Sequence, residues 1–123
     1  MLATLLIVFS SPNNTDADLE YNQIQSNTVD VLDLYIDKLA TCESGQIPDV
    51  VIVDTNGLKS YAWLQFQMAT FNYYGEKYNL PHDDILDPGQ QIKIAKRMIE
   101  DGGWKHWYIC GKRIGLDKYV PSQ

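Results

Sequence analysis

Glu43 stands in the run Cys42-Glu43-Ser44-Gly45, where an apolar helical stripe meets a glycine stop. Val29, Leu32, Ile36, Leu39 and Cys42 recur at three- and four-residue steps, which places them on one face of a helix. Glu43 lies four residues after Leu39, on the edge of that stripe, so helix geometry turns its carboxyl inward. Burial penalises the charged form and raises a carboxylate's pKa. A carboxylic acid that keeps its proton near neutral pH can protonate a leaving oxygen, as cleavage of a glycosidic bond requires. A two-carboxylate glycosidase needs a second acid nearby, and Asp54 is the local candidate. Its context, Asp54-Thr55-Asn56-Gly57, also accounts for it as an ordinary turn residue.

These residues must be positioned by few elements. Thr28 reads as the N-cap of the first helix, with Asp30 in its first turn, and Gly45 as its C-terminal stop. Val50 to Val53 is β-prone and runs into the Asp54–Gly57 turn, which predicts a short hairpin or irregular loop beside the site. A second helix is expected from Met68 to about Tyr78, carrying Phe71, Tyr74 and Tyr78. Asp87 followed by Pro88 marks the start of a third, with a stripe of Gln91 or Ile92, Ala95, Met98 and Ile99, closed by Gly102-Gly103. A last short helix holds Trp104, Trp107, Tyr108 and Cys110. The expected fold is a mainly α (α+β) domain over 28–123, preceded by a signal- or anchor-like segment and polar linker over 1–27.

Composition narrows the function classes. The chain has 123 residues, enough for one core, and a net charge of −6. No basic stripe exists to neutralise phosphates, so nucleic acid is not the expected partner. No Cys-x-x-Cys or His-x-x-x-His spacing occurs, His82 and His106 do not make a metal site, and Asp83, Asp84 and Asp87 lack an EF-hand pattern. No glycine loop to cradle a phosphate is present, so neither a metal nor a cofactor is expected. Met1 to Phe9 is apolar, too short to span a bilayer, and reads as a truncated export signal or anchor rather than a buried strand. Cys42 and Cys110 would pair in an oxidising compartment and remain two thiols in the cytosol.

Four segments in order carry a family resemblance: Cys42-Glu43-Ser44-Gly45; Ser60-Tyr61-Ala62-Trp63-Leu64-Gln65-Phe66; Asp87-Pro88; and Trp104-Lys105-His106-Trp107-Tyr108-Ile109-Cys110. With these the chain resembles the lysozyme-like transglycosylase superfamily, closest to the resuscitation-promoting-factor and soluble lytic transglycosylase branches. In those branches a glutamate followed by serine ends a helix and is the catalytic acid, which falls here on Glu43. A later small residue, leucine and glutamine are matched by Ser60, Leu64 and Gln65. In the resuscitation-promoting factors the cysteine before the glutamate pairs with one after a Trp-x-x-Trp segment, and that resemblance implies a Cys42–Cys110 disulfide. Where the family has glycine before the leucine, this chain has Ala62-Trp63, so Trp63 is expected to narrow the groove or stack on a sugar ring.

The resemblance implies a muralytic enzyme acting on peptidoglycan glycan strands, extracytoplasmic, secreted or envelope-associated, and monomeric. It also implies a single-glutamate route, in which Glu43 serves as acid and then as base on the sugar's own 6-hydroxyl, leaving a 1,6-anhydro product. Proximity of an intramolecular nucleophile then replaces a second carboxylate. Gln65 is a candidate reader of an N-acetyl group, Ser60 an orienting or capping hydroxyl, and Tyr61, Trp63 and Tyr108 are candidate groove lining. Two other readings remain: a hydrolytic muramidase using Asp54 or a positioned water, and a lysozyme-like module that binds glycan without cleaving it.

Overall fold

The computed structural model describes residues 30–121, and the compact unit that carries the site begins at Val31. The segment over 1–27, the Thr28 cap and Val29 of the stripe lie outside the described residues. Helix α1 (Val31–Ser44) is followed by strands β1 (Val51–Val53), β2 (Lys59–Tyr61) and β3 (Phe66–Gln67), then α2 (Met68–Lys77), α3 (Pro88–Glu100) and α4 (Tyr108–Ile114). Short 3-10 turns at Trp104–Trp107 and Leu116–Lys118 flank α4. The domain is therefore a small α+β, lysozyme-like fold. Asp30 precedes α1 rather than lying in its first turn, where Asp33 takes the acidic position.

The apolar stripes bury as their periodicity demands. Leu32, Ile36 and Leu39 of α1 and Ile94, Ala95, Met98 and Ile99 of α3 are buried, joined by Leu64, Phe66, Phe71 and Trp107 in one cluster. Helix α3 starts as its sequence dictates: Asp87 caps it by accepting from the Gly89 amide, and Pro88 occupies the first turn, where no amide is needed. Helix α1 stops at Gly45, whose φ of 69° is open to glycine at little cost, and the Gln46 amide reaches back to the Ala40 carbonyl.

The sheet is antiparallel in the order β1-β2-β3, with Ile52 opposite Ser60 and Ser60 opposite Gln67. The hairpin turn closes through the Asp54 amide to the Leu58 carbonyl and the Gly57 amide to the Asp54 carbonyl. Strand β3 goes beyond the expected hairpin. Two residues carry too little alternation to register as a strand, and pairing with β2 alone makes them one.

Candidate active site

Glu43 occupies the last turn of α1, and both chain neighbours tie that turn to other elements. Cys42 forms a disulfide with Cys110 of α4. Ser44 Oγ donates to the Trp63 carbonyl at 2.7 Å, in the loop between β2 and β3, and accepts from the Gln46 amide at 3.1 Å. The helix end is therefore clamped from two sides, which fixes where the Glu43 carboxyl can point.

The β2–β3 loop is held from beneath by one buried amide. Gln91 of α3 is fully buried; its Oε1 accepts from the Leu64 amide at 2.8 Å, and its Nε2 donates to the carbonyls of Tyr61 and Ile85 at 2.9 and 2.6 Å. Both donors and the oxygen of the amide head are thus used on backbone, which offsets the cost of burying it. Trp107 Nε1 donates to the Leu64 carbonyl at 2.8 Å. Within this scaffold Ala62 and Gln65 adopt φ of 60° and 54°, a region that non-glycine residues enter at a cost of order 1 kcal/mol or more. The surrounding hydrogen bonds hold a conformation that the local sequence does not favour.

A cleft of about 420 Å³ opens between α1, the sheet and the Trp104–Trp107 turn, lined by Glu43, Ile52, Asp54, Ser60, Gln65, Gln67, His106 and Trp107. Its two carboxylates sit in opposite environments. Glu43 is half-buried, no hydrogen bond to its carboxyl is seen among the described residues, and desolvation raises its pKa to about 7, with Asp54's negative charge as the lesser cause. Asp54 is partly exposed and accepts from Ser60 Oγ and, at 3.0 Å, from Gln67 Nε2; these two bonds hold its pKa below the ordinary aspartate value. Near neutral pH Glu43 therefore still holds its proton for a substantial part of the time while Asp54 is ionised, the division that acid–base chemistry on a polar bond needs.

The fold brings together Glu43, Asp54, Ser60 and Gln65 from the sequence-derived set. Gln65 lines the cleft; its Nε2 donates to the Ala62 carbonyl at 2.9 Å, and no bond to its Oε1 is seen among the described residues. Tyr61, Trp63 and Tyr108 are not among the residues that line this cleft. Tyr61 alternates with Ser60 along β2 and so points from the sheet's other face, packed against the core. Trp63 packs partly buried on the core, and Tyr108 is exposed and stacks on Trp104. Gln67 and His106 line the cleft without having been singled out. Gln67 had no sequence signal beyond following Phe66, whereas His106 is marked by its place inside the Trp-x-x-Trp segment. Among the described residues no group of three or more His, Cys, Asp or Glu is placed to hold a metal, and no helix is long and apolar enough to cross a membrane.

The sequence of the chain matches known proteins. The family model of the transglycosylase-like domain matches residues 32–110. Resuscitation-promoting factor Rpf1 of Corynebacterium glutamicum is 33% identical over 87 residues, covering 71% of this chain and 42% of that protein. Resuscitation-promoting factor RpfB of Mycolicibacterium smegmatis is 34% identical over 79 residues, covering 64% of this chain and 21% of that protein. The chain thus spans about two fifths and one fifth of the lengths of these relatives. No solved structure matches it at comparable significance. With a family model spanning α1 to the second cysteine and the cleft between them, the chain belongs to the transglycosylase-like domain family.

Proposed function

We propose that this domain cleaves the β-1,4 bond between N-acetylmuramic acid and N-acetylglucosamine in peptidoglycan, as a lytic transglycosylase with Glu43 as its catalytic acid and base. The observation that carries this reading is the half-buried Glu43, clamped at a helix end and facing a cleft with its pKa raised to about 7. Family membership supports a glycosidase at a coarse level. The disulfide supports an extracytoplasmic setting, because such bonds persist in oxidising compartments.

In this mechanism protonated Glu43 gives its proton to the glycosidic oxygen as the C1–O bond breaks. Ionised Asp54, on the opposite wall, stabilises the positive charge that develops at C1. The sugar's 6-hydroxyl then attacks C1, its proton returns to Glu43, and a 1,6-anhydro end remains. Gln65 Oε1 accepts from an acetamido N–H, which places the N-acetyl group against the loop that Gln91 holds.

A second reading, hydrolysis, is favoured by one observation: Asp54 shares the cleft and is kept ionised by Ser60 and Gln67. Digestion of purified peptidoglycan followed by mass spectrometry separates the two. Anhydro ends are the expected product, and new reducing ends would transfer the assignment to a muramidase. Binding without any lysis, in a folded wild-type protein, would leave a glycan-binding module instead.

A further inference from the structure

The chemistry above makes no use of His106, yet this residue lines the same cleft. Its ring packs against two aromatic side chains. It stacks on Phe66 with centroids 5.8 Å apart and planes 30° off parallel, and it meets Trp107 edge-on at 4.8 Å. That aromatic ledge is rigid: Phe66 is fully buried, Trp107 is 5.4 Å from it in a T-shaped contact, and Trp107 is pinned by its bond to the Leu64 carbonyl. The ring edge is a different matter. Among the described residues neither nitrogen of His106 has a hydrogen-bond partner, whereas His82, the chain's other histidine, has Nδ1 2.7 Å from the Leu80 carbonyl.

A ring packed on buried aromatics at the wall of a polar cleft, with no protein partner for its nitrogens among the described residues, can offer them to a ligand in that cleft. We propose that His106 is a substrate-contacting residue whose imidazole edge hydrogen-bonds a hydroxyl or acetamido group of an N-acetylated sugar bound against Glu43. This rests on the glycan reading above and adds a residue to it.

The charges around the ring fit a neutral imidazole. Glu43 faces it from α1 and Asp54 from the hairpin turn; Gln65 and Gln67 contribute only neutral amides, and Lys105 precedes it on its own turn. Although the residue as a whole is exposed, contact with the aromatic ledge desolvates the ring and holds its pKa below the usual histidine range. A neutral ring offers one donor and one acceptor, the complement of a sugar hydroxyl. A cationic ring would instead stabilise ionised Glu43 and remove the acid's proton.

Two independent measurements test this. In the first, lysis kinetics are compared for His106→Ala, His106→Phe and His106→Asn, each checked for wild-type thermal unfolding. Phenylalanine keeps the stack and loses the nitrogens; asparagine keeps a donor and an acceptor. Loss of about tenfold in kcat/KM, carried mainly by KM, is expected for Ala and Phe, the effect of one neutral hydrogen bond, with most of it recovered by Asn. Wild-type kinetics in His106→Phe would reduce His106 to packing and overturn the proposal. In the second, the Glu43→Gln variant is titrated with N-acetylglucosamine oligomers while the two histidine ring signals are followed by NMR. The His106 signal should shift and its titration midpoint move, with His82 as the internal control. Oligomer saturation without movement of His106, or no binding at millimolar oligomer, would overturn it. Absence of lysis in the wild type would strike the transglycosylase reading, while the NMR titration would still decide for or against His106.

Discussion

The helix end that carries Glu43 and the hairpin turn that carries Asp54 face each other across one cleft and treat the same functional group in opposite ways. At the helix end, burial strips water from Glu43 and gives no hydrogen bond in return among the described residues, so the neutral form is favoured to about pH 7. At the turn, Asp54 keeps its water and gains Ser60 and Gln67 as donors, so the charged form is favoured. The two also act on each other, since Asp54's charge adds to the pressure on Glu43 to stay protonated. Residue type alone assigned neither role; environment separated them.

The sharpest way to break this comparison is Glu43→Gln. If the helix-end carboxyl is the acid, kcat falls by about 10³-fold, the scale of a lost general acid, with the fold intact. The same variant has a stability signature. A folded-state pKa of about 7, against an ordinary 4.5, means that Glu43 binds its proton more tightly in the folded protein. The stability that Glu43 contributes is then fully present below pH 4.5 and is lost as pH rises through 7, by about 1–2 kcal/mol once the water still around the side chain is allowed for. Denaturant midpoints measured across pH 4–8 should show this decline in the wild type and not in Glu43→Gln. A retained rate in the variant would remove Glu43 from the chemistry.

The clamp on the helix end comes next. Reducing Cys42–Cys110, or replacing Cys110 by serine, opens a link with a sequence separation of 68 and should cost about 4 kcal/mol in equilibrium unfolding. Thermal unfolding with and without reductant measures it; an unchanged midpoint would show that the helix end does not depend on the bridge.

Asp54→Asn tests the other wall. On the single-glutamate route it lowers kcat by about tenfold or less, the electrostatic share of one partly exposed charge, whereas loss of a nucleophile or base would cost far more. It also moves the basic limb of the pH–rate profile downward, because one cause of Glu43's raised pKa is removed. The limb should stay above the ordinary glutamate value, since desolvation is the larger cause. A limb that falls all the way would mean that the turn, not the helix end, sets Glu43's proton affinity.

The smallest expected effect is that of Ser44→Ala. It removes the bond to the Trp63 carbonyl and should cost about 1 kcal/mol in chemical unfolding, with a modest loss of rate as the helix end loosens. No change in either would place all of the clamping on the disulfide.

Much of the fold was legible because its signals are local. The spacing of Leu32, Ile36 and Leu39 set α1 and its buried face, Gly45 its end, Asp87-Pro88 the start of α3, and Asp54–Gly57 the hairpin turn. What escaped depends on partners distant in sequence. Strand β3 exists through pairing with β2. Gln91 looked like one member of a stripe, yet its amide fastens a loop 27 and 30 residues away. Tyr61 and Trp63 pack partly buried against the core, and because aromatics suit both sugars and cores their residue type does not separate groove lining from packing.

By itself the sequence determined the helix that delivers Glu43, the turn that delivers Asp54 and the family resemblance that joins them, since periodicity, caps and turn residues act over a few positions. The tertiary structure decided that the two carboxyls share one cleft, that Ser60 and Gln67 hold one of them ionised, and that His106 lines the same cleft. The physical reason is that hydration, hydrogen bonding and the field of a neighbouring charge depend on distance in space, which the order of residues along the chain does not contain.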